Sequence, residues 1–183
     1  MNKFLPALAL AAVAMPFQTA SANDFEYPYV GVGGGVAEFS DLCGDFSNCD
    51  DDANFYRIYS GARLLPNFGS EVGYNHARTF GTDGFEIRPK AIDITGNFYM
   101  PAGQRFDAFL KAGGYLWRVR VEEGAERRNE HGIDFKTGAG VRFGVTEMIS
   151  IRGDYTFIPN FGSSDIGGTE HLHKVSGSLQ LHF

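Results

Sequence analysis

The chain has 183 residues, with 16 Lys or Arg and 22 Asp or Glu, so its formal net charge is −6. This acidic balance argues against a nucleic-acid-binding protein, which normally carries a basic excess. The mean hydropathy of −0.19, and the lack of about 18 consecutive apolar residues beyond the N-terminal region, argue against a helical membrane protein. The 24 glycines, 17 phenylalanines and 8 tyrosines favour strands and turns instead.

The first 22 residues have the features of a secretory signal peptide. Lys3 gives a basic start, an apolar run extends from Phe4 to Phe17, and Ala20 and Ala22 form a small-residue cleavage pattern. The alternative, an N-terminal membrane anchor, is disfavoured because the run is short and has no stop-transfer flank. We therefore expect residues 1–22 to be cleaved, which leaves residues 23–183 as one exported domain.

Cys43 and Cys49 are the two cysteines, and both lie in the polar stretch 40–52. An even number of cysteines in an exported protein predicts a disulfide between them. A metal site is the alternative, but the stretch lacks paired histidines and a second cysteine pair. The same stretch holds five Asp residues, which suit Ca²⁺ or Mg²⁺ but lack the EF-hand spacing, so a solvated loop is the simpler expectation.

An alternation of apolar and polar residues with a period of two dominates residues 23–183. From Ile133 to Val145, the odd-numbered residues are apolar except Thr137, and the even-numbered residues are charged or glycine. Such a pattern predicts a strand whose two faces meet different environments. Similar segments predict eight strands, at residues 27–39, 53–64, 70–80, 86–100, 106–121, 132–145, 149–158 and 170–183.

The connections between the predicted strands alternate in length. Those after the second, fourth and sixth strands are tight, at residues 65–69, 101–105 and 146–148. The others are mostly longer and polar, at residues 40–52, 81–85, 122–131 and 159–169, and among them only 81–85 is short. Short turns at one end and long loops at the other predict an all-β fold, an eight-stranded antiparallel up-and-down transmembrane β-barrel.

The direction of the polar face separates this fold from a soluble eight-stranded carrier, whose interior would be apolar. The polar face carries the glycines, which would leave room for long charged side chains in a narrow lumen, so we expect it to point inward. Centring the tight turns predicts three interior charge pairs: Arg63 with Glu71, Asp93 with Lys111, and Arg142 with Asp154. The predicted lipid-facing belt includes Val30, Val32, Ile92, Ile94, Leu110, Phe135, Val141, Phe143, Ile151, Tyr155, Leu179, Leu181 and Phe183.

The last strand ends on Phe183 and carries apolar residues at alternate positions, namely Val175, Leu179 and Leu181. This end resembles the C-terminal signal that the barrel assembly machinery recognises. Together with the segments 70–74, 91–95 and 109–115, it makes the chain resemble the OmpA/OmpX-like family of small outer-membrane β-barrels. The resemblance implies a Gram-negative outer membrane, an N-terminus in the periplasm and loops that face outward. No peptidoglycan-binding domain of the kind found in longer OmpA relatives is expected after Phe183.

The resemblance implies a structural or surface-interaction protein, with a lumen filled by side chains rather than an open pore. The expected partners are outer-membrane lipid and lipopolysaccharide, the barrel assembly machinery, and an extracellular ligand at loops 40–52, 122–131 and 159–169. No cofactor, metal or nucleic acid is expected. His171 and His173 could bind a transition metal, but a third ligand is not evident, so interfacial histidines are the simpler expectation.

A lipid A-modifying enzyme is the main functional alternative, because some small barrels of the outer membrane act on lipid A. Ser176 and His173 are predicted on opposite faces of the last strand, which argues against a catalytic Ser–His pair there. Arg152–Asp154 spells the integrin-binding tripeptide, but its position within a strand favours an interior charge pair. A soluble periplasmic carrier is the third alternative, and it predicts an apolar cavity with a charged exterior.

Overall fold

Nine antiparallel strands build the part of the chain that the computed structural model describes, residues 27–40, 52–78, 80–82, 85–123, 126–161 and 170–183. The strands are β1 (Tyr27–Phe39), β2 (Asp52–Leu65), β3 (Phe68–Ala77), β4 (Phe80–Thr82), β5 (Phe85–Pro101), β6 (Phe106–Glu123), β7 (Glu126–Gly144), β8 (Ile149–Phe161) and β9 (Glu170–His182). No helix within these residues is long and apolar enough to span a bilayer.

The sheet closes on itself, because β1 pairs with β2 on one side and with β9 on the other. Both β3 and β4 pair with β5, so these two segments are consecutive pieces of one barrel strand. The predicted eight-stranded antiparallel barrel is therefore confirmed. Closure gives every strand two neighbours, which removes the exposed sheet edges that an open sheet would present.

The two ends of the barrel differ in their connections. At one end, which we refer to as the turn end, short segments join β2 to β3, β5 to β6, and β7 to β8. Gly103 in the second of these turns has φ = +126°, a conformation that favours glycine. At the other end, the loop end, β1, β6 and β8 connect to their successors.

Several strand limits at the loop end differ from the sequence prediction. The β6–β7 ladder continues to Glu123 and Glu126, so most of the predicted loop 122–131 is strand. Charged residues at both odd and even positions of the sequence hide this extension from a test based on apolar alternation. The predicted strand 70–80 is interrupted after Ala77, and β8 continues through Pro159 to Phe161 with a shift of register against β9. The shift lies at Pro159, which has no N–H group and so cannot donate a hydrogen bond to the ladder between β8 and β9.

The outward face of the barrel is apolar over most of its height. Every predicted belt residue is exposed, from 39% for Ile92 to 58% for Phe183. Exposed apolar residues recur from Val175 to Phe183, along β9 and the residue after it, and from Ile133 to Val145, along β7 and the residue after it. With about 3.3 Å per residue and a tilt near 40°, these runs give a height of roughly 20–30 Å, which brackets the ~25 Å apolar band of outer-membrane barrels. This exterior contradicts the soluble-carrier alternative.

The polarity of the two faces reverses toward the loop end. Beyond the last exposed apolar residue of a strand, the next outward residue is polar, as in Glu38, Asn54, His76, Lys90, Arg118, His131 and His173. The inward residues at the loop end form an apolar cluster that includes Phe39, Phe55, Tyr115, Trp117, Ile158, Phe161 and Leu172. The expectation of a polar interior was wrong for this region, where the barrel is built like a water-soluble one with an apolar core.

Trp117 provides a test of the assigned faces, because it is the single tryptophan of the chain and is 3% exposed. Its indole lies inside the barrel and donates a hydrogen bond from Nε1 to Asp134 Oδ2 at 2.5 Å. We expect brominated lipids to leave its fluorescence almost unquenched. The matched variant Trp117→Phe/Leu116→Trp moves the indole to the outward face beside the belt, where brominated lipids should quench it strongly. Equal quenching of the two proteins would contradict the assignment.

Candidate functional site

A buried carboxylate, Glu71 of β3, joins three strands across the lumen. Glu71 Oε1 lies 2.6 Å from Nη2 of Arg57, and Oε2 lies 2.6 Å from Nη1 of Arg152. The Tyr29 hydroxyl donates to the same Oε2 at 3.0 Å. Glu71 is 1% exposed, so these three donors replace the water that the carboxylate loses on burial.

Asp93 of β5 forms a second centre that shares Arg57 with the first. Asp93 Oδ1 lies 2.7 Å from Arg57 Nη2 and 2.5 Å from Lys136 Nζ. Thr95 donates to the same oxygen at 3.0 Å, and Asn75 Nδ2 donates to Oδ2 at 2.5 Å. Lys174 Nζ donates to Asn75 Oδ1 at 2.8 Å, which extends the network to β9. One connected network therefore links strands on all sides of the lumen.

Asp154 of β8 is the third buried carboxylate. It forms an ion pair with Lys111, accepts a hydrogen bond from Ser176 Oγ at 3.2 Å, and lies 3.4 Å from Nε of Arg152. Arg152 thus contacts both Glu71 and Asp154, which connects the third centre to the first.

A smaller cluster lies nearer the turn end, where the lumen is more exposed. Asp107 forms ion pairs with Arg142 and, at 3.5 Å, with Arg63. The Arg63 guanidinium also lies 4.6 Å from the centre of the Tyr99 ring, within the range of a cation–π contact.

The six residues of the predicted charge pairs all form ion pairs in the lumen, but their predicted partners were wrong. Adjacent-strand register places Arg63 opposite Gly69, Asp93 opposite Tyr115 and Arg142 opposite Arg152. The lumen is narrow enough for long side chains to reach past the neighbouring strand. Their partners are accordingly set by the closed barrel rather than by the hairpin turns.

Several members of the network were missed in the sequence. Arg57, Lys136, Lys174, Asn75 and Asp107 are all buried, and each occupies an inward position of its strand. The available signal was a polar residue between outward-facing apolar neighbours, as for Arg57 between Tyr56 and Ile58.

Lys174 lies between the charged network and the apolar cluster at the loop end. Its ammonium group is 4.1 Å from the centre of the Phe55 ring and 5.2 Å from that of Tyr115. Two cavities that share these three residues have volumes of about 20 Å³ and about 10 Å³. Each is comparable to the space that one water molecule needs.

The residues considered in the sequence as a catalytic pair or as metal ligands do not come together in a catalytic or metal site. Ser176 faces the lumen, whereas His173 faces outward and lies 2.6 Å from the Tyr155 hydroxyl through Nδ1. A different pair, Ser150 Oγ and His182 Nε2, lies 2.7 Å apart at the turn end, but Ser150 is only 2% exposed. Within the described ranges, no three His, Cys, Asp or Glu side chains are placed to hold a metal ion.

The remaining predicted sites divide between described and undescribed parts of the chain. Val175, Leu179, Leu181 and Phe183, predicted as the assembly signal, lie exposed on the outward face at the end of the chain. Cys43 and Cys49 lie outside the described residues, as do the predicted signal peptide, residues 1–22, and most of the loops 40–52 and 159–169.

A closed antiparallel barrel with an apolar outer belt defines the class of outer-membrane β-barrel proteins. A model of the OmpA-like transmembrane domain matches residues 20–183, and the chain belongs to this family. The resemblance seen in the sequence is therefore confirmed.

Individual relatives agree with this membership. Outer membrane protein A of Klebsiella pneumoniae is 25% identical over 133 residues, which cover 67% of this chain and 38% of that protein. The chain thus spans well under half of that relative. Neisserial surface protein A has the same fold, with a TM-score of 0.69 at 17% identity over 85% of this chain and 97% of that one. Ail of Yersinia pestis also has this fold, with a TM-score of 0.63 at 10% identity over 87% of this chain and 99% of that one.

The network makes a prediction for stability. Glu71→Gln removes the charge that Arg57 and Arg152 share, so two buried guanidinium groups lose their main counter-ion. We expect the free energy of unfolding in lipid vesicles to fall by about 3–5 kcal/mol, measured by urea titration. The control Asp52→Asn removes an exposed carboxylate and should change it by less than about 0.5 kcal/mol. Equal midpoints for the two variants would contradict the structural role of Glu71.

Proposed function

We propose that this protein is a structural and surface-interaction barrel of the outer membrane, with a closed lumen rather than an open pore. The observation that carries the proposal is the continuous network centred on Glu71, Asp93 and Asp154, which fills the middle of the barrel. The apolar cluster above it adds a second layer. Eight strands enclose a space that side chains can fill, so the barrel itself needs no further plug.

The belt and the end of the chain are the surfaces that contact the proposed membrane partners. Outer-membrane lipid and lipopolysaccharide surround the belt, and the barrel assembly machinery recognises the last strand through Val175, Leu179, Leu181 and Phe183. Residues 1–22 act as a cleaved signal peptide, and a disulfide joins Cys43 to Cys49 in an oxidising compartment.

The loop end is the proposed contact region for an extracellular ligand. Most of its outward residues are polar, and the segments 40–52, 122–131 and 159–169 connect or include the ends of strands at this end. Ail of Yersinia pestis, a barrel with the same fold, has been solved in complex with the heparin analogue sucrose octasulfate. By analogy of fold, we propose that ligand contact in this chain is also made from the loop end.

Enzymatic activity is not part of the proposal. A lipid A-modifying enzyme would need a nucleophile and a base together on the lipid-accessible wall. Ser176 and His173 face opposite sides of β9, and the Ser150–His182 contact lies inside the barrel.

Conductance measurements test the closed lumen. In planar bilayers, we expect the unmodified barrel to give no steady current above background, with a general porin as the positive control. The variant Lys111→Ser/Asp154→Ser removes both members of an ion pair and so opens space while removing one charge of each sign. It should raise the ion leak. A steady conductance from the unmodified barrel would contradict the closed-lumen proposal.

Labelling of intact cells tests the orientation. In a Cys43→Ser/Cys49→Ser background, Asn129→Cys places a thiol at the loop end and Thr146→Cys places one at the turn end. Both original residues are exposed. We expect a membrane-impermeant maleimide to label only the Asn129→Cys variant on intact cells and both variants after lysis. Labelling of Thr146→Cys alone on intact cells would reverse the proposed orientation.

A further inference from the structure

The polar residues that follow the apolar belt at the loop end are unevenly charged around the barrel. On β3, β5, β6 and β7 they are His76, Lys90, Arg118 and His131. On the next strands around the barrel, β2 and β1, the outward residues at this end instead include the acidic residues Asp52 and Glu38. The barrel therefore presents a basic face and an acidic face at the same end. We define the basic face as Arg78, His76, Lys90 and Arg118, all of which lie on the outward side.

The strand register places the two cations Lys90 and Arg118 directly beside one another, with the His76 imidazole on the other side of Lys90. Lys90 is the ladder partner of His76 on one side and of Arg118 on the other. Ladder partners have side chains about 5 Å apart, and like charges at that spacing repel each other. Within the described residues, neither Lys90 nor Arg118 forms a salt bridge with a carboxylate. We infer that an external anion serves as the partner of this pair of cations.

The basic face lies at the edge of the apolar belt. Two residues toward the turn end, the outward positions of the same strands hold Tyr74, Ile92 and Leu116, each about 40% exposed. The Tyr56 ring packs against the His76 ring with their centres 5.0 Å apart, and aromatic rings of this kind are typical of a membrane–water interface. The cations therefore lie beside the level at which lipid headgroups begin.

We propose that the basic face binds the phosphate groups of an anionic lipid headgroup in the leaflet at the loop end. This deepens the proposed contact with lipopolysaccharide and rests on it. Arg118 can bind a phosphate through two N–H groups, whereas Lys90 acts as a compact point charge. A lipid fits better than a soluble polyanion, because its acyl chains can cover Ile92 and Leu116 while its phosphate reaches the cations. The acidic face would repel the same headgroup, so the bound lipid takes one side of the barrel.

Native mass spectrometry of the barrel, released from nanodiscs of phosphatidylcholine and lipid A, tests the proposal. We expect Lys90→Gln/Arg118→Gln to reduce the fraction of barrels with bound lipid A by about fivefold or more. Arg105→Gln, which removes an exposed cation at the turn end, and Glu38→Gln on the acidic face should not reduce that fraction. Heat-modifiable migration on gels verifies that each variant is folded. Retention of lipid A by the double variant, or an equal loss with Arg105→Gln, would overturn the proposal.

Two further arms identify the ligand chemistry. Lipid A without its phosphate groups should bind the unmodified barrel only as weakly as complete lipid A binds the double variant. Tight binding of the dephosphorylated lipid would exclude phosphate recognition. Inorganic phosphate at the concentration of the lipid should leave lipid A bound, whereas displacement would point to a soluble anion. Neither arm depends on orientation in cells or on conductance, so a negative result here leaves the proposed function separately testable.

Discussion

Backbone hydrogen bonding within lipid is the constraint on which the rest of this structure depends. A lipid-exposed strand has no water for its N–H and C=O groups, so each strand needs two hydrogen-bonded neighbours. The β1–β9 pairing meets this need by closing the sheet. Closure in turn gives every strand one face toward lipid and one toward the lumen. The alternation that runs through β7 and β9 follows from this division, as does the confinement of long charged side chains to the interior at the level of the apolar belt.

The charged lumen follows from the small diameter of an eight-stranded barrel. Opposing walls are close enough for Arg152 of β8 to contact Glu71 of β3, and for Lys136 of β7 to contact Asp93 of β5. Each of the buried carboxylates Glu71, Asp93 and Asp154 has at least three polar partners, which offset the cost of its removal from water. Such a network ties distant strands together, so stability and closure of the lumen depend on the same residues.

The reversal of polarity at the loop end marks where the barrel leaves the lipid. Outside the belt, water satisfies outward polar groups, and the hydrophobic effect drives Phe55, Trp117 and Phe161 inward. The same strands therefore face lipid over one part of their length and water over another. Around the boundary between them, the outward side chains lie at the level of the lipid headgroups, and Lys90 and Glu38 there carry opposite charges on different strands.

The sequence alone determined the barrel class, the number of barrel strands and the lipid-facing residues, because a period of two is a local property of the chain. Val141, Phe143 and Leu179 were assigned from their immediate neighbours, and their exposure agrees. Only the tertiary structure decided which charges meet, since Arg57 joins Glu71 and Asp93 across a lumen that exists after closure. It also decided where the inward face becomes apolar. Phe55 and Arg57 occupy the same face of β2, and only their depth relative to the lipid explains why one is apolar and the other charged.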